Sequence, residues 1–248
     1  MSVTRRLAGS ILILAALILT ACASQVTADV GAEDRRETVV VLHGLGRTRG
    51  AMWLLGSRIE QAGFDVVRIG YDSLNEPPER ILSQVSRQID ACCANSVSPV
   101  HFVGHSLGGL VIRAYLARHN LRSLGRVVLI ATPNAGTPLV DAHRDTWWMG
   151  LAGPTARRLG TDPDSFPNSL PAPKYPVGVI GGVSEIPWLK DQIPGRDDGL
   201  VPLQSTRLSG MVDFVVIEAS HAGLRYSREV AHQAVAFLRT GRFAHDSN

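Results

Sequence analysis

At 248 residues with 45% hydrophobic content, the chain has the size of one α/β domain with a full core, and no shift of composition sets off a second one. Lys and Arg number 25 against 22 Asp and Glu, a balance too even for a nucleic-acid groove or a polyanion partner. Of three cysteines two are adjacent, which excludes a disulfide framework as the source of stability.

The chain opens with Arg5 and Arg6, an almost unbroken apolar run from Leu7 to Leu19, and small residues before Cys22. That layout is a secretory signal rather than part of a fold, and its apolar run is shorter than a membrane span needs. Leu19-Thr20-Ala21-Cys22 resembles a bacterial lipobox. The resemblance implies a signal peptide over 1–21, acylation of Cys22 as the first residue of the processed protein, and a place in the cell envelope, at the outer membrane because Ala23 follows the cysteine. The alternatives are an ordinary cleaved signal and an uncleaved anchor. Residues 22–37 are small, polar and aperiodic, as a tether is.

From residue 38 strand and helix signals alternate. Thr38 to Leu42 is a β-branched run followed by His43-Gly-Leu-Gly46, the pattern of a buried parallel strand and a turn. Met52, Leu55 and Ile59 recur at helical spacing, and Asp65 to Ile69 is the next strand. Pro77 and Pro78 open a helix whose buried face is Ile81, Val85 and Ile89. A strand at 100–103, a helix from Leu110 to Arg118 and a strand at 127–131 continue the rhythm, which argues for a parallel sheet covered on both faces. Cys92 and Cys93 are expected as packing residues at a helix end, with a vicinal disulfide as the alternative. The stretch 139–173 is irregular and proline-rich, with at most one helix near Pro154 to Leu159, and it is expected as a lid-like insertion. Val177 to Ile180 and Phe214 to Ile217 complete the sheet, Arg228 to Leu238 closes it with Val230, Ala234 and Phe237 on one side, and 241–248 is a tail.

Ser106 lies between the strand at 100–103 and the following helix, in Gly104-His-Ser-Leu-Gly108. The order G-x-S-x-G lets a strand turn sharply into a helix and leaves the serine exposed at the bend. A serine hydroxyl needs a base and a third group that orients the base. His221, in a small-residue loop just past the last strand, is the base; His119, His232 and His245 sit on helices or the tail. Asp197 and Asp198, before Gly199, are the near candidates for the acid and Asp141 and Asp145 the remoter ones, and spacing alone does not exclude Asp197. Backbone N–H groups of Leu45 and Leu107 are expected to form the oxyanion hole, and His43 to be a structural hydrogen-bonding residue. No zinc pattern such as HEXXH or paired C-x-x-C occurs, so neither metal nor cofactor is expected.

His43-Gly44, the GHSLGG run at 104–109, Asp198-Gly-Leu-Val201 and His221 together make residues 38–240 resemble the α/β-hydrolase family, specifically its bacterial lipases and esterases. The resemblance implies a reduced sheet of about six mostly parallel strands flanked by helices, Asp198 as the acid in its Asp-Gly-Leu-Val run, and hydrolysis of carboxylic esters through an acyl-enzyme on Ser106. The same triad also cleaves thioesters and amides, and a non-catalytic envelope lipoprotein using the fold as a binding surface is the rival. The expected partners are a small or lipid ester as substrate and, through Cys22, a membrane. Trp147, Trp148, Met149 and Leu151 are candidates for an apolar acyl groove favouring short to medium chains; the alternative is that both tryptophans pack the insertion onto the sheet.

Overall fold

The computed structural model describes residues 36–184 and 192–245, except for the side chain of Trp148. The expected signal peptide at 1–21, the acylated Cys22 and the tether up to residue 35 therefore lie outside the described residues. Six strands form one sheet: β1 (Thr38–Leu42), β2 (Asp65–Ile69), β3 (Val100–His105), β4 (Leu124–Ile130), β5 (Val177–Val183) and β6 (Asp213–Glu218). Their order is β2-β1-β3-β4-β5-β6, and every neighbouring pair is parallel. The six-stranded sheet read from the sequence is thus the one observed.

The β-branched run of β1 shows why this sheet is buried on both faces. Val40 and Leu42 belong to one apolar cluster, Val39 and Val41 to the other, as the period of two in a strand requires. Two helices, α1 (Trp53–Gln61) and α6 (Arg228–Thr240), cover the second cluster, while α2 (Pro78–Cys93) and α3 (Leu107–Leu116) cover the first. Leu55 and Ile59 of α1, Ile81, Val85 and Ile89 of α2, and Val230, Ala234 and Phe237 of α6 are all fully buried. Each of the larger side chains contributes about 1.5–3 kcal/mol by leaving water, which outweighs the weak intrinsic helix propensity of these segments.

Local chemistry sets the helix ends. Ser227 accepts the backbone N–H of Val230 at the start of α6, and Gly241, at φ 78°, ends it in the left-handed conformation. Just beyond it, residues up to 245 are tied to the domain. Phe243 packs against Phe237 at 4.9 Å, its N–H donates to Asp213, and Gln233 exchanges two hydrogen bonds with Ala244. Cys92 and Cys93, expected as packing residues, are instead joined as a vicinal disulfide; only Cys93 is buried.

The insertion contains a short helix α4 (Pro138–His143) and 3-10 turns at Trp147–Gly150 and Ala156–Arg158, the second where a helix was expected. Side chains pin it to the body of the domain. Thr155 donates to the carbonyl of Glu76 at 2.7 Å and Arg158 pairs with Glu79 at 2.5 Å, while within the insertion Asp141 accepts from Arg144 and Thr161. Buried Arg113 of α3 reaches the carbonyl of Leu170 at 3.1 Å.

Because all strands run the same way, every loop that follows a strand leaves at the same edge. Leu42 at the end of β1 is in register with Gly104 of β3, and His105 with Ile130 of β4. The loops after β1, β3, β5 and β6 carry His43 to Leu45, Ser106, Asp198 and His221 respectively. The topology alone gathers residues 115 positions apart in sequence.

Candidate active site

Ser106 sits at φ 55°, ψ −124°, as the residue between β3 and α3. A non-glycine residue there is strained, and it persists because packing on both sides prescribes the bend. A methyl group on Gly104 would stand 2.6 Å from the backbone N of Gly109, and one on Gly108 would stand 2.5 Å from the carbonyl oxygen of Leu42. The two glycines of the motif are therefore demanded by backbone-to-backbone approach of α3 to β3 and β1. Ser106 is 9% exposed, with its hydroxyl facing a cleft.

His221 Nε2 lies 2.9 Å from Ser106 Oγ, and its Nδ1 lies 2.8 Å from Asp198 Oδ2. Asp198 has no exposed side-chain surface. Its other oxygen, Oδ1, accepts the backbone N–H groups of Leu200 at 3.0 Å and Val201 at 2.8 Å, so a buried carboxylate is fully engaged. The two loops are also joined through the main chain, since His221 N–H donates to the Asp198 carbonyl at 2.8 Å. Gly182 of β5 makes room for both: a methyl there would stand 3.0 Å from the Cβ of Asp198 and 3.0 Å from the carbonyl of Ala219.

The alternative acids have other partners or places. Asp197 caps its own turn by accepting the N–H of Gly199 at 2.7 Å, Asp141 is tied to Arg144 and Thr161, and Asp145 is exposed. Among the described residues no group of three or more His, Cys, Asp or Glu is arranged to hold a metal ion.

The loop after β1 lies directly against the nucleophile. A methyl on Gly44 would stand 3.1 Å from Ser106 Cβ and 3.1 Å from His105 Nδ1, so the segment leading to Leu45 runs beside the nucleophile, where Leu107 opens α3. N–H groups in the first turn of a helix have no partner inside the helix, so Leu107 is free to face an oxyanion. His43 holds this loop. Its ring stacks on Tyr71 at 4.1 Å, its Nε2 accepts the Tyr71 N–H at 3.4 Å, and its Nδ1 therefore donates to the Gly44 carbonyl at 2.9 Å. The Tyr71 hydroxyl donates to the His43 carbonyl. Burial pushes the His43 pKa below the ordinary value and keeps the ring neutral.

His105 is the residue whose role sequence reasoning missed. Its Nε2 donates to the carbonyl oxygen of His221 at 2.8 Å, and its Nδ1 is buried without a partner. Burial, and next the neighbouring His221, hold its pKa well below the usual histidine range. Its place inside G-H-S-L-G was visible in the sequence; its contact across 116 positions was not.

A cleft of about 600 Å³ opens above Ser106. Leu139, Val140, Met149, Ala152, Ala156 and Leu159 of the insertion supply an apolar wall, with Leu200 and Val201 opposite the loop after β1. For Trp147 and Leu151 the expected acyl groove is corrected here, while the side chain of Trp148 lies outside the described residues. Trp147 is 80% exposed and Leu151 73% exposed, and neither lines the cleft, whereas Met149 does and is 5% exposed. In the tight turn at 147–150 it is Met149 that faces the cleft. Two arginines, Arg47 and Arg225, also line the cleft.

Comparison with known proteins agrees with this architecture. The palmitoyl protein thioesterase family model matches residues 38–157, just under half of the chain. No curated protein matches it. Among solved structures, Bacillus licheniformis lipase BlEst2 in mature form is similar at a TM-score of 0.67 and 16% identity, over 83% of this chain and 92% of that one. Aspergillus fumigatus lipase B is similar at 0.58 and 18%, over 86% of this chain and 54% of that one. The metagenomic carboxyl esterase MGS0156 follows at 0.58 and 14%, over 78% and 66%.

Proposed function

We propose that this chain, which has the α/β-hydrolase fold, is a serine hydrolase cleaving carboxylic esters of the lipase and esterase type. The observation that carries the reading is the relay Ser106 Oγ to His221 Nε2 at 2.9 Å and His221 Nδ1 to Asp198 Oδ2 at 2.8 Å. An idle serine has no use for a base oriented by a buried carboxylate.

Ser106 Oγ gives its proton to His221 and bonds to the ester carbonyl carbon, while the carbonyl oxygen takes the negative charge beside the Leu45 and Leu107 amides. Collapse breaks the bond to the alcohol oxygen, which leaves with the proton held by His221. Water then bonds to the acyl carbon and passes a proton to His221. The bond to Ser106 breaks, Oγ recovers that proton, and the free acid departs. Asp198 stays ionised throughout, fixing the tautomer of His221 and stabilising its charged form.

Thioester cleavage is a second reading, favoured by the palmitoyl protein thioesterase match over 38–157. The triad serves either substrate, and a thiolate leaves more readily than an alkoxide. The non-catalytic alternative separates by a fluorophosphonate probe: covalent labelling of the native protein, abolished in Ser106→Ala, supports an activated serine, and absence of labelling on the native protein overturns it.

We also infer from Leu19-Thr20-Ala21-Cys22 that Cys22 is acylated and that the protein is held at a bacterial envelope membrane, with the outer membrane as its destination. No helix among the described residues is long and apolar enough to cross a membrane.

A further inference from the structure

Arg225 is a buried cation without an acid. It is 5% exposed, its Nε is enclosed with no hydrogen-bond partner, and among the described residues its guanidinium has neither an ion pair nor a hydrogen bond. Its one directed contact is the Tyr226 ring, 4.8 Å from the guanidinium carbon, and a cation over a ring is only partly compensated for lost water. The nearby carboxylate, Asp198, is committed to His221 and two backbone amides. A charge kept in this condition implies a partner that arrives with the substrate.

The position of Arg225 says which part of the substrate. It follows His221 by four residues, in the turn Leu224–Tyr226, and it lines the cleft together with Ala222. His221 must protonate the departing oxygen or sulfur, so the leaving group lies against this loop, while the apolar wall from the insertion faces the acyl chain. Arg47, exposed beyond the oxyanion loop, is a second cation of the lining, and among the described residues no Asp or Glu lines the cleft. Both arginines are close enough to oppose protonation of His105, though burial is the larger cause there.

We propose that Arg225, aided by Arg47, forms an anion subsite in the leaving-group half of the cleft, and that the substrates are acyl esters or thioesters whose alcohol or thiol part carries a phosphate or carboxylate. This rests on the hydrolase reading above. A planar guanidinium offers paired N–H groups to either anion, and its affinity rises in a site already withdrawn from water.

Three esters of one acyl group test it: butyryl glycerol, butyryl glycerol 3-phosphate and the butyryl ester of glyceric acid, assayed by released butyrate. The native protein should favour at least one anionic ester over the neutral one by about tenfold or more in kcat/KM, the effect of a single charge-assisted pair. A higher rate with the phosphate identifies phosphate as the anion, and a higher rate with the glycerate identifies carboxylate. Arg225→Gln should bring the ratio of anionic to neutral rates close to one, and Arg47→Gln should lower it. If Arg225→Gln does not fold, the exposed Arg47 variant and competitive inhibition of the native protein by inorganic phosphate carry the test. Hydrolysis of butyryl glycerol at a rate equal to or above both anionic esters overturns the subsite, as does a ratio unmoved by the variants. Loss of turnover on all three esters together with absent fluorophosphonate labelling would instead defeat the hydrolase reading itself.

Discussion

His105 donates a hydrogen bond from Nε2 to the main-chain carbonyl of His221, 2.8 Å away, so the residue before the nucleophile holds the backbone of the base. The bond crosses from the β3 loop to the β6 loop beneath the reacting groups. His105→Leu keeps the bulk and removes the donor, leaving the His221 carbonyl unpaired. Turnover should fall by about ten- to a hundredfold, the size of effect that small misplacement of a catalytic group produces. The change should fall on kcat rather than KM, and His105→Gln, which restores a donor, should recover part of it. Steady-state kinetics on a p-nitrophenyl ester checks this; a loss confined to KM would point to substrate contact instead.

Acid sensitivity follows from the same ring. The folded pKa of His105 is depressed by burial, so the unfolded chain takes up its proton first as pH falls. Its contribution to stability is fully present above the ordinary histidine value of about 6.5 and declines below it, on the order of 1.4 kcal/mol per pH unit, until the folded pKa is reached. Burial depresses His43 and His101 in the same direction. Urea midpoints should therefore drop between pH 7.5 and pH 5, and His105→Gln should flatten the slope. A midpoint independent of pH over that range would contradict the buried neutral rings.

The adjacent acids divide their work. Asp198→Asn removes the acceptor for His221 Nδ1–H and should lower kcat by roughly 10³- to 10⁴-fold, because the imidazole takes the wrong tautomer. In Asp197→Asn the amide oxygen still accepts the Gly199 N–H, so activity should stay within about threefold and stability within about 1 kcal/mol. Parallel kinetics and thermal melts of the two variants decide it, with reversal of the order locating the acid at 197.

Acyl-chain selectivity should depend on Met149 and not on Trp147. Met149→Ala opens the apolar wall of the cleft, and each methylene newly seated contributes about 0.8 kcal/mol, so the optimum should move to chains two or more carbons longer. Trp147→Ala, at an 80% exposed site, should leave the profile unchanged. A series of p-nitrophenyl esters from acetate to palmitate reads both. A profile altered by Trp147→Ala alone would restore the tryptophan as a groove residue.

For the proposed anchor, expression in a bacterium should send the protein to the membrane fraction, and Cys22→Ser should release it or leave the signal uncleaved. Mass spectrometry of the N-terminus should find a diacylglyceryl group on Cys22. Fractionation unchanged by Cys22→Ser, with no lipid found, would leave a simple secreted or anchored form.

Local patterns made the frame legible. The continuous apolar run of β1 and the helical spacings of Ile81, Val85 and Ile89 are properties of short windows, and they came out as read. Ser106, Asp198 and His221 were legible because each follows a strand in a parallel sheet, which fixes one edge for all three. What escaped was set by packing between distant segments. His105 meeting the His221 carbonyl, Arg225 buried without an acid, and Phe243 returning to Phe237 have no short-range signature. Trp147 misled because aromatic character predicts burial only on average, and the phase of a single 3-10 turn decided which neighbour faced inward.

Asp198 and His221 are linked twice, ring to carboxylate and N–H to carbonyl, whereas Ser106 meets the pair through one hydroxyl contact. Breathing of the β6 loop thus carries the acid and the base along as one body. The His105 bond to the His221 carbonyl ties that loop to the end of β3 as well, so parting the imidazole from the hydroxyl by loop movement loads a second contact while the buried carboxylate keeps its partners.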